Sequence, residues 1–156
     1  MSLPPEISDY YGRGDEPDRL TRGPEGRLEL IRTQALVERL LPAPPAAIAD
    51  VGGGAGIHAA PLTARGYEVH LVDPVAGHVE QAAGLGLASA LVGDARELPF
   101  EDERFDAVFS AYGGYNIPGR SGPFHFTRFS NPVDIGSLTA IMNGLHRMTP
   151  YYRDLS

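Results

Sequence analysis

The stretch ADVGGGAGIHA at residues 49–59 constrains the fold more than any other part of the chain, because it places four glycines within five positions. It overlaps a short run of small apolar residues, AIADV, which predicts a buried β-strand over 47–51. Glycine costs backbone entropy unless a turn needs a positive φ or another group comes close to the backbone. The stretch therefore predicts a tight turn after a strand, approached closely by a ligand or by another segment.

Strand-like and helix-like segments alternate on both sides of this turn. Further strands are predicted over 67–73, 88–94 and 104–111, and helices over 25–41, 55–65 and 74–84. The second strand is almost continuously apolar, as is typical of a parallel strand that is covered on both faces. The alternation therefore predicts an α/β fold built on a mostly parallel sheet.

Composition excludes several classes of function. The 13 basic residues are all arginine and are outnumbered by 20 acidic residues, for a net charge of −7, so we expect no capture of nucleic acid by a basic face. Cysteine is absent, which excludes disulfides, thiolate metal sites and a cysteine nucleophile. No stretch approaches the roughly 18 apolar residues that a membrane span needs. The acidic N-terminus does not resemble a signal peptide, and we therefore expect a cytoplasmic protein without membrane contact.

The pattern changes near residue 110, where a net acidic sequence gives way to a net basic one rich in Gly, Pro and aromatic residues. We expect an N-terminal helical cap and linker over 1–46, a ligand-binding core over 47–111, and a loop-rich tail over 112–156 with one helix capped by Asn131. A sheet that stopped at the fourth strand would have an unpaired edge. We expect an oligomer or the tail helix to cover it.

Three polar features fall where the first three predicted strands end, which is the edge at which open α/β sheets bind ligands. The glycine turn exposes backbone N–H groups and allows close approach. Asp73 can accept both hydroxyls of a ribose, and Asp94, in Gly93-Asp94-Ala95, can accept from the exocyclic amine of adenine. A tight turn or a helix cap explains each feature alone, whereas the three together predict a nucleoside ligand.

The spacing of the glycines separates two kinds of nucleoside site. A dinucleotide fingerprint requires G-x-G-x-x-G, and from Gly52 onward Ile57 stands where the third glycine belongs. The motifs DVGGGAG, LVDP, GDARELPF and RFDAV together resemble the class I S-adenosylmethionine-dependent methyltransferases, in particular the bacterial small-molecule type with a YY…RL segment near the N-terminus. The resemblance covers about residues 10–110.

The resemblance implies a Rossmann-like, doubly wound sheet, here without the usual distal strands, and S-adenosylmethionine as the cofactor. The residues it would assign to the cofactor are Asp50, Gly52, Gly54, Gly56, Asp73, Asp94, Ala95 and Ser110. The first four would line the methionyl part, Asp73 would hold the ribose, and Asp94 with Ala95 would face adenine. Residues 110–112 would lie near the sulfonium.

The resemblance also fails in places. Relatives carry Tyr-His-Leu beyond the fourth strand, whereas this chain has Tyr115-Asn116-Ile117, so no catalytic base is assigned. Of the five histidines, His125 in PFHFTRF is the best placed to line a substrate pocket, and the others are expected on the surface or in the core. No metal-ligand spacing is present. An N-terminal pair, Tyr10 and Tyr11, matches a segment that closes over the site in such enzymes, and simple packing of an N-terminal arm explains it equally well.

The leading prediction is a methyltransferase that transfers a methyl group from S-adenosylmethionine to a small-molecule acceptor. A non-catalytic or truncated domain that binds S-adenosylmethionine is the first alternative. An NAD-dependent oxidoreductase is the second, and the missing third glycine of the fingerprint disfavours it.

Overall fold

The computed structural model describes Asp18, residues 20–94 and 97–110, and the backbone of residues 125–127. The elements are α1 Gly23–Leu40, β1 Ala47–Val51, α2 Ala59–Ala64, β2 Glu68–Asp73, α3 Ala76–Ala83, β3 Ser89–Val92, β4 Ala107–Ser110 and β5 His125–Thr127. The predicted alternation of strands and helices is confirmed. The helix predicted after Asn131 lies outside the described residues.

The strands form one sheet in the order β3-β2-β1-β4-β5, in which β1 to β4 are parallel. Asp50 near the end of β1 is opposite Leu71 of β2 and Phe109 of β4. The chain runs outward from β1 to β2 and β3, and then returns to the other side of β1 as β4. Open α/β sheets bind ligands at such a reversal of strand order, beyond the carboxyl ends of the strands. The Rossmann-like, mostly parallel sheet is confirmed.

The outer edge of β4 is paired with a strand from the tail. β5 runs antiparallel to β4, with Val108 opposite Thr127 and Ser110 opposite His125. The sequence predicted loop at these positions, because three residues are too few to show an alternating pattern. A strand thus covers this edge where a tail helix or an oligomer was expected, and the homo-oligomer stays a prediction.

Alternating residues of the strands pack on opposite faces of the sheet, as the pleat requires. One face carries the larger cluster, which includes Val37 of α1, Leu62 of α2 and Val79 of α3. The other face is covered by Leu98 and Phe105 from the connection between β3 and β4. As predicted, β2 is buried on both faces, which fixes the position of the acidic residue at its end.

The helix after the glycine turn is shorter than predicted and begins only at Ala59. Gly52, Gly54 and Gly56 have φ of +73°, +56° and +87°, values that a right-handed helix cannot contain. The turn therefore extends through His58 before helical geometry starts. Among the helices that the structure describes, none has the length and apolar character needed to cross a bilayer.

Candidate functional site

The glycine turn crosses from the end of β1 over the end of β2. The N–H of Gly52 donates to the carbonyl oxygen of Val72 at 2.7 Å, and the N–H of Gly53 approaches the same oxygen at 3.4 Å. These bonds extend the parallel pairing of β1 and β2 by one residue beyond the strand, so the turn lies directly beside Asp73. The first two predicted features of the site are therefore neighbours.

The glycines of the turn differ in what surrounds them. A Cβ on Gly53 would lie 2.7 Å from Oδ2 of Asp50 and 2.7 Å from Cδ1 of Leu71, so this glycine is required by packing. A Cβ on Gly56 would lie 2.6 Å from Cδ1 of Leu85. A Cβ on Gly54 would meet no atom within 4 Å. Only Gly54, of these three, faces space that a ligand could take, and the sequence did not single out Gly53.

Asp73 joins the glycine turn to the start of α3. Its Oδ2 accepts the N–H of Gly54 at 2.9 Å, and its Oδ1 accepts the N–H of Val75 at 2.9 Å. The second bond is a local turn in which an aspartate satisfies the backbone two residues later. The side chain is only 8% exposed. The carboxylate thus holds together the two turns that follow β1 and β2.

His78 is a member of this site that the sequence analysis treated as an ordinary surface or core histidine. It lies on α3, is 5% exposed, and places Nδ1 3.2 Å from Oδ1 of Asp73. The signal that could have found it is its position in the first turn of the helix after β2, five residues from the aspartate that ends the strand.

Asp50 is fully buried beneath the glycine turn. Neither of its carboxyl oxygens has a hydrogen-bond partner among the described residues. Burial, and second the negative charge of Asp73, raise the pKa of Asp50 from 3.8 to about 8. A carboxyl in this state is a ready acceptor for a cationic or hydrogen-bond-donating group that reaches it.

The end of β3 approaches the same edge of the sheet. The N–H of Gly93 donates to the carbonyl oxygen of Asp73 at 3.1 Å, and a Cβ on Gly93 would lie 2.9 Å from Cγ1 of Val72. Asp94 then forms an isolated antiparallel bridge with Glu97. The prediction that the first three strands end at the same edge of the sheet is therefore correct.

The structure describes only some of the other residues of the predicted site. Ser110 is 6% exposed at the end of β4, one residue beyond the Phe109 that pairs with Asp50. Ala95 and Tyr112, like the N-terminal pair Tyr10 and Tyr11, lie outside the described residues. No group of three metal-ligating side chains occurs among the described residues.

Comparisons with known proteins agree with this geometry. Residues 49–118 match the family model described as a methyltransferase domain. An uncharacterized methyltransferase of Mycobacterium tuberculosis is 35% identical over 89 residues, which cover 56% of this chain and 37% of the relative. An uncharacterized methyltransferase of Mycobacterium bovis matches to the same extent. The chain thus covers little more than a third of the curated relatives it matches.

Two solved structures share the fold. The PH0226 protein of Pyrococcus horikoshii is 26% identical with a TM-score of 0.53, covering 65% of this chain and 49% of that one. A TehB-like S-adenosylmethionine-dependent methyltransferase of Corynebacterium glutamicum has a TM-score of 0.51 at 21% identity, covering 70% and 57%. Residues 49–118 thus match a methyltransferase domain, in agreement with the resemblance that the sequence motifs indicated, and the two solved structures share the Rossmann-like fold.

Proposed function

We propose that this chain binds S-adenosylmethionine at the glycine turn and transfers its methyl group to a small-molecule acceptor. The observation that carries the proposal is the meeting of the glycine turn and Asp73, with open space beside Gly54, at the reversal of strand order. The match of residues 49–118 to a methyltransferase domain supports the same cofactor, and the acceptor rests on the resemblance to small-molecule enzymes.

The residues present fit the chemistry of such a cofactor. It carries an ammonium, a sulfonium and two ribose hydroxyls, all of which favour nearby carboxylates. Asp50 provides a buried carboxyl whose oxygens have no partner among the described residues. We assign it, with the glycines, to the methionyl part, and we assign Asp94 and Ala95 to adenine and Ser110 to the neighbourhood of the sulfonium.

Asp73 is assigned to the ribose. Each carboxylate oxygen can accept two hydrogen bonds, so Oδ2 keeps an acceptor position in addition to its bond from the N–H of Gly54. Because the side chain is 8% exposed, the glycine turn or the first turn of α3 must shift to admit a ribose. Binding is therefore expected to loosen or exchange one of the bonds that now hold this carboxylate.

When bound, S-adenosylmethionine supplies an electrophilic methyl group on a positively charged sulfur. The protein's own contribution is to align donor and acceptor and to exclude water. Ser110 ends the strand next to β1, on the other side of the strand reversal from Asp73. We expect the acceptor to approach from this side. No general base is assigned.

A thermal shift measurement with S-adenosylhomocysteine tests the cofactor. A ligand at 100 times its Kd stabilises the folded state by about 2.7 kcal/mol, which raises Tm by several degrees. We expect this rise in the wild-type chain and in Glu80→Gln, an exposed carboxylate of α3, and a much smaller rise in Asp73→Asn. NAD should give none.

Two results would contradict the proposal. If S-adenosylhomocysteine stabilises no variant, the cofactor assignment is wrong, and stabilisation by NAD instead would favour an oxidoreductase. Binding of S-adenosylhomocysteine without methyl transfer to any member of a broad acceptor panel would favour the non-catalytic alternative.

A further inference from the structure

We propose that His78 is a positioning residue for the cofactor: it fixes the carboxylate of Asp73 so that Oδ2 is the oxygen presented to the ribose. This inference rests on the proposed function and deepens it, because it assigns a role to a side chain that the family resemblance does not. His78 acts through Asp73 and is not itself expected to touch the reacting atoms.

The two oxygens of Asp73 have different surroundings. Oδ1 faces α3, where it accepts the N–H of Val75 at 2.9 Å and lies 3.2 Å from Nδ1 of His78. Oδ2 faces the glycine turn and accepts the N–H of Gly54, the glycine beside open space. With both acceptor positions of Oδ1 taken, the remaining capacity of the carboxylate lies on Oδ2, on the side of the proposed cofactor.

The contact fixes the protonation of Nδ1. An unprotonated Nδ1 would set a lone pair against a carboxylate oxygen, whereas an Nδ1–H donates to it. The neutral Nδ1–H tautomer and the imidazolium both supply this donor. The side chains of His78 and Asp73 are 7% and 8% exposed, so water competes little for the bond, and a hydrogen bond to a charged group is among the stronger ones.

The position of His78 allows it to hold the carboxylate of Asp73 in a fixed orientation. It lies in the first turn of α3 on a helical backbone, and its neighbour Val79 is buried in the core on the helix-covered face of the sheet. The histidine is therefore held by the packing of the helix, whereas Val75 lies in the connection before it. Loss of the side-chain donor leaves each carboxylate oxygen of Asp73 with one backbone bond, from Val75 to Oδ1 and from Gly54 to Oδ2, so the carboxylate is held less firmly and Oδ1 regains an acceptor position.

Replacement of His78 by Asn and by Gln tests whether the side chain positions Asp73, because both residues are polar and differ in the reach of the donor nitrogen. The amide nitrogen of Asn is separated from Cα by the same number of bonds as Nδ1 of histidine. The amide nitrogen of Gln is separated from Cα by the same number of bonds as Nε2. We expect His78→Asn to bind S-adenosylhomocysteine within about threefold of wild type, and His78→Gln and His78→Leu to bind about tenfold more weakly. Gln81→Leu, at an exposed position of the same helix, is the matched control and should bind normally.

A second ligand separates positioning from a general effect on the fold. An analogue of S-adenosylhomocysteine without the two ribose hydroxyls cannot use Asp73, so its affinity should be the same in wild type and in all three variants. Equal weakening for both ligands, or an Asn variant as weak as the Gln variant, would overturn the role of His78. Failure of the wild-type chain to bind S-adenosylhomocysteine would overturn the proposed function together with this inference.

If His78→Leu does not fold, the comparison of Asn with Gln decides the question, since both variants keep a polar amide side chain at this position and differ in the reach of its nitrogen. Their Tm values without ligand, measured in parallel, report the structural cost of each substitution. The positioning role of His78 is supported if the Asn variant binds S-adenosylhomocysteine more tightly than the Gln variant and if this difference is absent for the analogue without ribose hydroxyls.

Discussion

The buried carboxyl of Asp50 is expected to make the stability of the fold depend on pH. Burial, with the nearby charge of Asp73, raises its pKa from 3.8 to about 8. Between these values the folded chain keeps a proton that the unfolded chain has lost. The contribution of Asp50 to stability is therefore fully present below pH 3.8, falls as pH rises towards about 8, and is constant above it, with a slope of up to about 1.4 kcal/mol per pH unit.

The variant Asp50→Asn isolates this contribution. The amide has nearly the same shape and does not ionise, so its cost to the fold is the same at every pH. Over the two units from pH 5 to pH 7, the free energy of unfolding of the wild type should fall by about 3 kcal/mol relative to the variant. All other titrating groups are common to both chains and cancel in the difference.

Urea unfolding at pH 5, 6 and 7 measures the effect directly, because the midpoint and slope of each transition give the free energy of unfolding. The control Glu80→Gln removes an exposed carboxyl from α3 and should keep the wild-type dependence on pH. Parallel lines for wild type and Asp50→Asn would show that Asp50 is ionised in the folded chain. The account of this site as an uncharged carboxyl below the turn would then be refuted.

Three further measurements test the packing around the site. Gly53→Ala should lower the free energy of unfolding by about 1–3 kcal/mol, since its Cβ would meet the Asp50 carboxyl group at 2.7 Å, whereas Gly77→Ala, with no atom within 4 Å, should not destabilise the fold. Phe105→Ala removes a core side chain that is 1% exposed and should cost about 3–5 kcal/mol by urea unfolding. In hydrogen exchange, the amides of β4 should be better protected in the full chain than in one ending at Ser110, since β5 pairs with β4; equal protection would contradict that pairing.

The sheet was predictable because its strands have strong local signals. β1 was predicted at its observed bounds, and β2 within one residue, since both are short apolar runs that are buried in the centre of the sheet. Once both ends were located, a parallel arrangement placed the glycine turn beside Asp73. The helix after the turn was predicted four residues too early, because positive φ at three glycines cannot be read from apolar spacing.

The finer parts of the site could not be predicted, because they depend on contacts between distant residues. Gly53 is required by the side chains of Asp50 and Leu71, and nothing in the sequence separates it from its glycine neighbours. The contact of His78 with Asp73 depends on the direction of α3 relative to β2. β5 is three residues long, and only its pairing with β4 makes it a strand.

Asp73 shows why the structural and the ligand-binding interpretations of a strand-end aspartate are not exclusive. It satisfies backbone N–H groups of two turns and is largely buried, so the fold uses it even without a ligand. Substitution of Asp73 therefore changes stability as well as binding, and loss of binding alone does not assign it to the ribose. A change at His78 leaves both backbone bonds to Asp73 in place and alters only how the carboxylate is held. In the Asn and Gln variants at position 78, the affinities for S-adenosylhomocysteine and for its analogue without ribose hydroxyls can be compared. This comparison tests the assignment of Asp73 more directly than substitution of the aspartate itself.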